Sequence, residues 1–261
     1  YWKGILHMNV AYTKEYQNWR KQRMSVFRPE YLCPRTEKIK LNTETGAFIL
    51  KVRDYKDKNQ NNPQRGSECE LQGQRGEVFY RWYNIDNNAE FYRLIEHSDG
   101  NDYLIFRQDL YGYSVLNLQT MQDLHYIPAQ SFPYGKEDFA ETFIWMDAYY
   151  EPQSSLLAIP GCFWARPYSV AVLDFSQPLK ANEAWLDIHL LVDANYDIYD
   201  NIDFAGWTDG TLVLTGVNRR TNTADTMAVP INKLRNALGK QEVPAIPVSY
   251  THLRAHETLA N

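Results

Sequence analysis

Residues 91–127, "FYRLIEHSDGNDYLIFRQDLYGYSVLNLQTMQDLHYI", decide the fold. The stretch divides into four short runs, "FYRLIEH", "DYLIFRQ", "YSVLNL" and "DLHYI", parted by "SDGN", "DLYG" and "QTMQ". Short runs rich in Tyr, Phe, Ile, Leu and Val, bounded by Asp, Gly, Asn and Gln, read as strands joined by tight turns. Links this brief join antiparallel neighbours, because a parallel pair needs a crossover of roughly a dozen residues or more.

The layout recurs downstream. A second unit has "TFIWMDAYY", "LLAIPGCFW", "SVAVLDF" and "AWLDI", and a third has "NIDFAGW", "TLVLTGV" and "TADTMAV". Aligned on the first tight turn, Asp99, Gln153 and Asp209 stand 54 and 56 residues apart. Several strands repeated at such a period are the signature of a propeller blade. The physical reason is burial: one small sheet has two apolar faces and needs neighbours stacked on it. "LLAI" and "LVL", apolar at consecutive positions, read as strands covered on both faces. The expected fold is therefore all-β, a β-propeller-like array of antiparallel blades, with a β-sandwich as the alternative. The array is expected to be incomplete, since three blades do not close a ring of about 4–8. The repeats span about 89–136, 137–188 and 189–235 within a domain at 37–247.

Residues 1–36 precede that domain as an irregular segment with a short helix over 11–23. Further on, "KIKL" and "AFILKV" flank "NTETG", where Gly46 is expected to supply a positive φ for a hairpin. The polar stretch 57–76, "DKNQNNPQRGSECELQGQRG", reads as an exposed loop, and "EVFYRWYNI" (77–85) as a strand that with 37–56 would begin a fourth blade.

Over residues 89–235 the layout resembles propeller repeats of the WD40-like kind, without their Gly-His and Trp-Asp dipeptides. In such blades the loops between second and third strands share one end with the connections between blades. That geometry gathers "DLYG", "ARPY" and "NRRTN", and with them Tyr111, Arg166, Tyr168, Arg219 and Arg220, on one rim. Arginine beside aromatics is the composition of binding surfaces. The function expected from this is a non-enzymatic, cytoplasmic module that binds a protein or peptide, acidic in character. The alternative is a small-molecule or metal-dependent enzyme with its site at the propeller channel.

Composition narrows the field. The net charge is −5, which speaks against a nucleic-acid footprint. No apolar run approaches the roughly 20 residues of a membrane span. Cys33, Cys69 and Cys162 form no CxxC and read as free thiols of a reducing compartment. GxSxG, Walker, HExxH and GxGxxG motifs are missing, so no cofactor is expected. His7, His97, His125 and His189 are scattered and read as hydrogen-bonded structural residues. Cys162 in "GCFWARPYS" has no histidine predictably near it and reads as structural. The run "DANYDIYDNID" (193–203) offers oxygens but not the spacing or glycine of a calcium loop, and reads as a solvated connection.

Residues 248–258, "VSYTHLRAHET", place His252 and His256 four apart, as on a metal-binding helix face. All eleven residues also resemble the translated transposase adapter of sequencing libraries. On that resemblance residues 248–261 are a non-native tail, the native coding sequence stops at or before Pro247, and the histidine pair has no role.

Overall fold

The structure is a computed structural model that describes residues 9–43, 46–59, 61–85, 91–133, 139–164, 166–181, 185–194 and 196–238, and the backbone of 246–247. His7 and the segment 248–261, with the histidine pair, lie outside the described residues. Residues 9–127 form one compact unit, and the described residues from Pro128 onward another.

The first unit opens with helix α1 (Lys14–Arg23). The Thr13 hydroxyl caps it by accepting the Tyr16 N–H at 3.3 Å. Glu15 in the first turn and Arg20, Lys21 and Arg23 in the last complement the helix dipole. Tyr16 and Arg20, four apart on one helix face, are the residues that α1 buries. Strands β1 (Leu32–Asn42), β2 (Ala47–Lys56), β3 (Arg65–Gln72) and β4 (Val78–Asn84) then make an antiparallel sheet in chain order. A second such sheet follows in β5 (Tyr92–Glu96), β6 (Asp102–Phe106), β7 (Tyr113–Asn117) and β8 (Asp123–Tyr126), matching the four runs of residues 91–127 strand for strand. Leu50, Val52, Cys69, Leu71 and Trp82 of the first sheet share a core with Leu104, Phe106 and Leu116 of the second.

Two expectations for the first sheet need correcting. Gly46 is not among the positive-φ glycines, and the β1–β2 turn is held instead by Thr43. The Thr43 N–H donates to Gly46 C=O at 2.8 Å, and its hydroxyl accepts the Gly46 N–H at 2.9 Å. The supposed loop 57–76 contains strand β3, nearly all of it buried. Its Ser67, Cys69 and Leu71 face inward, while Glu68 and Glu70 on the other face meet Arg53 at 2.8 and 2.9 Å and Arg81 at 3.4 and 2.5 Å. Paired cross-strand charges let an acidic, polar segment become a central strand.

The second unit runs through β9 (Ala140–Glu141), β10 (Ile144–Trp145), β11 (Tyr149–Glu151), β12 (Leu156–Cys162), β13 (Ser169–Asp174), β14 (Trp185–Asp187), α2 (His189–Val192), β15 (Tyr199–Thr208), β16 (Thr211–Asn218), β17 (Thr223–Pro230), α3 (Ile231–Ala237) and β18 (Ile246–Pro247). One sheet has the order β10-β12-β13-β14, with β11 also on β12, and the next is β15-β16-β17. β9 pairs separately with β18. At Gly161 a Cβ would sit 2.1 Å from the Ile144 carbonyl oxygen, so a glycine lets β10 close onto β12. Asp209 and Gly210, at φ of 45° and 71°, form the two-residue turn between β15 and β16. Leu156, Ala158, Val170, Val172 and Leu186 share a core with Ile202, Leu212, Leu214 and Val229.

The segments beginning at Phe91, Phe143 and Ile202 enter the first strands of three separate sheets and never pair with one another. The fold is all-β, a propeller-like array of antiparallel blades. β6 and β7 are buried at every residue, and Leu156–Ile159 of β12 likewise, so those strands are covered on both faces. β16 alternates between buried and half-buried residues, so "LVL" is covered fully on one face only, contrary to expectation. Among the described residues no helix is long and apolar enough to cross a membrane.

Candidate functional site

In the second unit, two loops converge on the acidic run. The Tyr168 N–H donates to Asn201 Oδ1 at 2.9 Å, and Tyr168 C=O accepts the Ile202 N–H at 2.9 Å. The Arg219 N–H donates to Ile198 C=O at 2.8 Å. These bonds bring the expected rim residues Arg166, Tyr168 and Arg219 around residues 196–202, with Arg220 beside them. Arg219 is committed, since its guanidinium pairs with Asp200 at 2.6 Å. Arg220 is exposed and its backbone N–H donates to Asn218 Oδ1 at 3.0 Å. Arg166 differs from both. Its N–H is tied to Phe163 C=O at 3.0 Å and its guanidinium lies 5.4 Å from the Tyr196 ring centre, yet it is exposed and meets no carboxylate among the described residues.

Beneath this surface Asp187, at the end of β14, is buried and collects three donors. Ser169 Oγ and Tyr196 Oη donate to it at 2.5 and 2.6 Å, and the His189 backbone N–H at 3.1 Å. Burial, then the Asp187 carboxylate, pushes the Tyr196 phenol up, so Tyr196 remains a hydrogen-bond donor. The Tyr196 ring stacks on His189 at 4.3 Å. His189 is fully buried, and burial lowers its pKa and keeps the ring neutral. Its Nε2 lies 3.4 Å from Tyr168 C=O, while Nδ1 has no hydrogen-bond partner, the Asp193 Oδ2 being 3.9 Å away.

Of the acidic run read as a solvated connection, Asp197, Asp200 and Asp203 are exposed and Asp193 alone is not. Its carboxylate is buried and accepts the backbone N–H groups of Asp197, Ile198 and Tyr199 at 2.9–3.0 Å. Burial alone would raise its pKa, but those three donors hold it below the usual carboxylate range. Among the described residues no group of His, Cys, Asp and Glu side chains is arranged to hold a metal ion.

The residue that sequence reading missed is Glu141, on β9. It is only 4% exposed, and no described residue hydrogen-bonds its carboxyl. Burial pushes its pKa up to about 7, with the positive charge of Arg166 acting in the opposite sense. The turn Ala129–Ser131 packs against β9, and there the Gln130 amide oxygen is buried without a partner, as is Thr142 Oγ1 just past β9. A glutamate ahead of the apolar "FIW" carries no sequence signal of this, because its isolation from polar partners is a property of the packing.

The first unit holds the other expected residue, Tyr111. It is buried in the core, which corrects the expectation that its hydroxyl faces a partner. His125 also lies in this unit, within a continuous chain of donors. Arg20 donates to Gln108 Oε1 at 2.9 Å, Gln108 Nε2 donates to Ser114 Oγ at 3.2 Å, and Ser114 Oγ and His125 Nδ1 share a hydrogen bond at 2.9 Å. His125 Nε2 and Tyr16 Oη share a hydrogen bond at 3.0 Å, and Tyr16 donates to Asp109. Burial, then the charge of Arg20, lowers the His125 pKa to about 3. The neutral imidazole has both nitrogens satisfied, and the structural reading of this histidine stands.

No family model and no curated protein matches the chain. Among solved structures, it is similar to one titled "Bifunctional GH43-CE" from Bacteroides eggerthii, at 9% identity and a TM-score of 0.34. The match covers 74% of this chain and 24% of that one, so this chain spans about a quarter of its length. The expectation of a non-enzymatic module binding a protein or peptide does not stand. Of the five residues proposed for the binding rim, Tyr111 is buried and Arg219 is already paired.

Proposed function

We propose that the second unit is enzymatic and performs acid–base chemistry on a small polar substrate, with Glu141 moving the proton. One observation carries this reading: a buried carboxyl with no hydrogen-bond partner among the described residues sits within the field of an exposed, unpaired arginine. A structural carboxylate at such depth is paired, as Asp187 and Asp193 of the same unit are. An unpaired one costs stability, and that cost is the usual mark of a functional group. A carboxyl titrating about 7 holds a proton to donate and gives a base able to take one back near neutral pH. Substrate polar atoms would complete the unpartnered Gln130 and Thr142 oxygens beside it. Asp187, Ser169 and His189 hold Tyr196 in place and take no part in the proton transfer.

The direct test is a carbon-13 carboxyl titration of Glu141, with Glu141→Gln as the assignment control. A midpoint near 7 is expected, and a midpoint near the ordinary 4.5 would remove the reading. In parallel, a panel of 4-nitrophenyl glycosides and esters gives the reaction class. Glu141→Gln is expected to lower kcat/KM on the active member by roughly 10²–10⁴ and to remove the pH limb near 7.

A further inference from the structure

We infer that the second unit carries a site for a small organic cation, an alkylated ammonium, on an aromatic platform built from Tyr149, Phe204 and Trp207; the site is independent of the proton chemistry at Glu141. The three rings come from two neighbouring sheets. Phe204 and Trp207 sit three apart on β15, a spacing that regular alternation sends to opposite faces. A bulge overrides it: Phe204 pairs with Leu214 and Gly206 with Val213, so Ala205 is the extra residue and Trp207 comes opposite Leu212. Both rings therefore pack on the same core. Tyr149 of β11 stacks on Phe204 at 4.1 Å and 12°, and Trp207 meets Phe204 at 6.3 Å and 66°. The Trp207 Nε1–H donates to the Tyr149 C=O at 3.1 Å and ties β15 to β11.

Packing fixes these rings without covering them. Tyr149 is 39% exposed, Phe204 and Trp207 are half-buried, and a Cβ built at Gly206 between them would meet nothing within 4 Å. Aromatic faces carry partial negative charge, and rings set at a steep angle form a corner that a cation can enter. A full charge stands beside them, because the Tyr149 hydroxyl donates to Asp147 Oδ2 at 2.8 Å. Segments 142–164 and 201–218, which supply the platform, carry Asp147, Glu151, Asp203 and Asp209 and no Lys, Arg or His. Of the arginines bonded nearby, Arg235 donates to the Ser154 C=O and Arg219 pairs with Asp200. The complement of a negative field around exposed rings is a cation with an apolar surface, and N-methyl groups provide that surface. A neutral ring stacked on the same platform would gain nothing from the charge.

Choline and its neutral carbon isostere, 3,3-dimethylbutan-1-ol, are titrated against nitrogen-15-labelled protein at constant ionic strength. The Trp207 indole N–H resonance, assigned with Trp207→Phe, is followed. Choline is expected to shift it saturably, and the isostere to bind at least about tenfold more weakly. Tyr149→Leu should lower choline affinity about tenfold, and Asp147→Asn should lower it several-fold without changing the response to the isostere. The inference is overturned by the absence of a saturable choline shift, by equal effects of choline and isostere, or by unchanged choline affinity in a folded Tyr149→Leu. Glucose acting as strongly as choline would also overturn it, in favour of a platform for neutral rings. Circular dichroism reports the fold of each variant; should Tyr149→Leu unfold, the isostere comparison in wild type and in Asp147→Asn decides. Failure of the Glu141 reading leaves each of these outcomes as it stands.

Discussion

The two units hold nearly the same set of side chains to opposite ends. The first contains Ser114, His125, Tyr16, Asp109 and Arg20; the second contains Ser169, His189, Tyr196, Asp187 and Arg166. In the first, hydrogen bonds run without interruption from the Arg20 guanidinium to the Asp109 carboxylate, and Arg20 itself is 7% exposed. In the second the chain stops short. His189 Nδ1 is unpartnered, the Glu141 carboxyl is unbonded among the described residues, and Arg166 stands in solvent. Residue types alone therefore do not separate structure from function. Satisfaction does: a closed polar network rigidifies a core, and an open one has capacity left for a ligand.

The comparison breaks most readily at His125. His125→Ala removes the central link and costs Ser114 Oγ and Tyr16 Oη one hydrogen bond each inside the core. The loss should be about 3 kcal/mol in urea unfolding, from unsatisfied groups together with a cavity. A loss below about 1 kcal/mol would mean that the network is not structural.

The next effect concerns Glu141 and carries a definite sign. Its folded pKa, near 7, lies above its unfolded value near 4.5, so the folded state holds the proton more tightly. Stability is greatest below the unfolded value and declines as pH rises through about 7. Partial solvent screening limits the decline to about 2 kcal/mol. Glu141→Gln should remove it, matching wild type at pH 4 and exceeding it at pH 8. Urea midpoints at the two pH values provide the measurement. A variant less stable at pH 8 would show that the carboxylate is compensated, and the two networks would then be alike.

How much of this is legible in the sequence follows from range. Strands β5 to β8 are spelled out by local alternation and by the turns "SDGN", "DLYG" and "QTMQ", and so are most strands of the later repeats. β3 is not, because "RGSECELQ" becomes a strand only when Arg53 and Arg81, on flanking strands, neutralise Glu68 and Glu70. Arg53→Ala should accordingly cost about 1–2 kcal/mol, since it strands two poorly solvated carboxylates. At the site, the loops "ARPY" and "NRRTN" were readable as neighbours by repeat alignment. Glu141 was not, for nothing local distinguishes a carboxyl with partners from one without.

The smallest effect is the sharpest contrast with His125. Arg166 belongs to the same kind of residue set, yet Arg166→Ala should change stability by no more than about 0.5 kcal/mol, because the side chain is exposed and bonds nothing among the described residues. Its charge should nonetheless register at a distance. Arg166 lowers the Glu141 pKa, so its removal should move the Glu141 midpoint upward from about 7 and deepen the loss of stability on the alkaline side, where the carboxylate is ionised. Unfolding at pH 6 and pH 8 separates the two effects: a uniform loss at both would make Arg166 a structural arginine like Arg20. A near-neutral result at pH 6, with a loss confined to pH 8, leaves it as a charge that acts on the carboxyl that titrates.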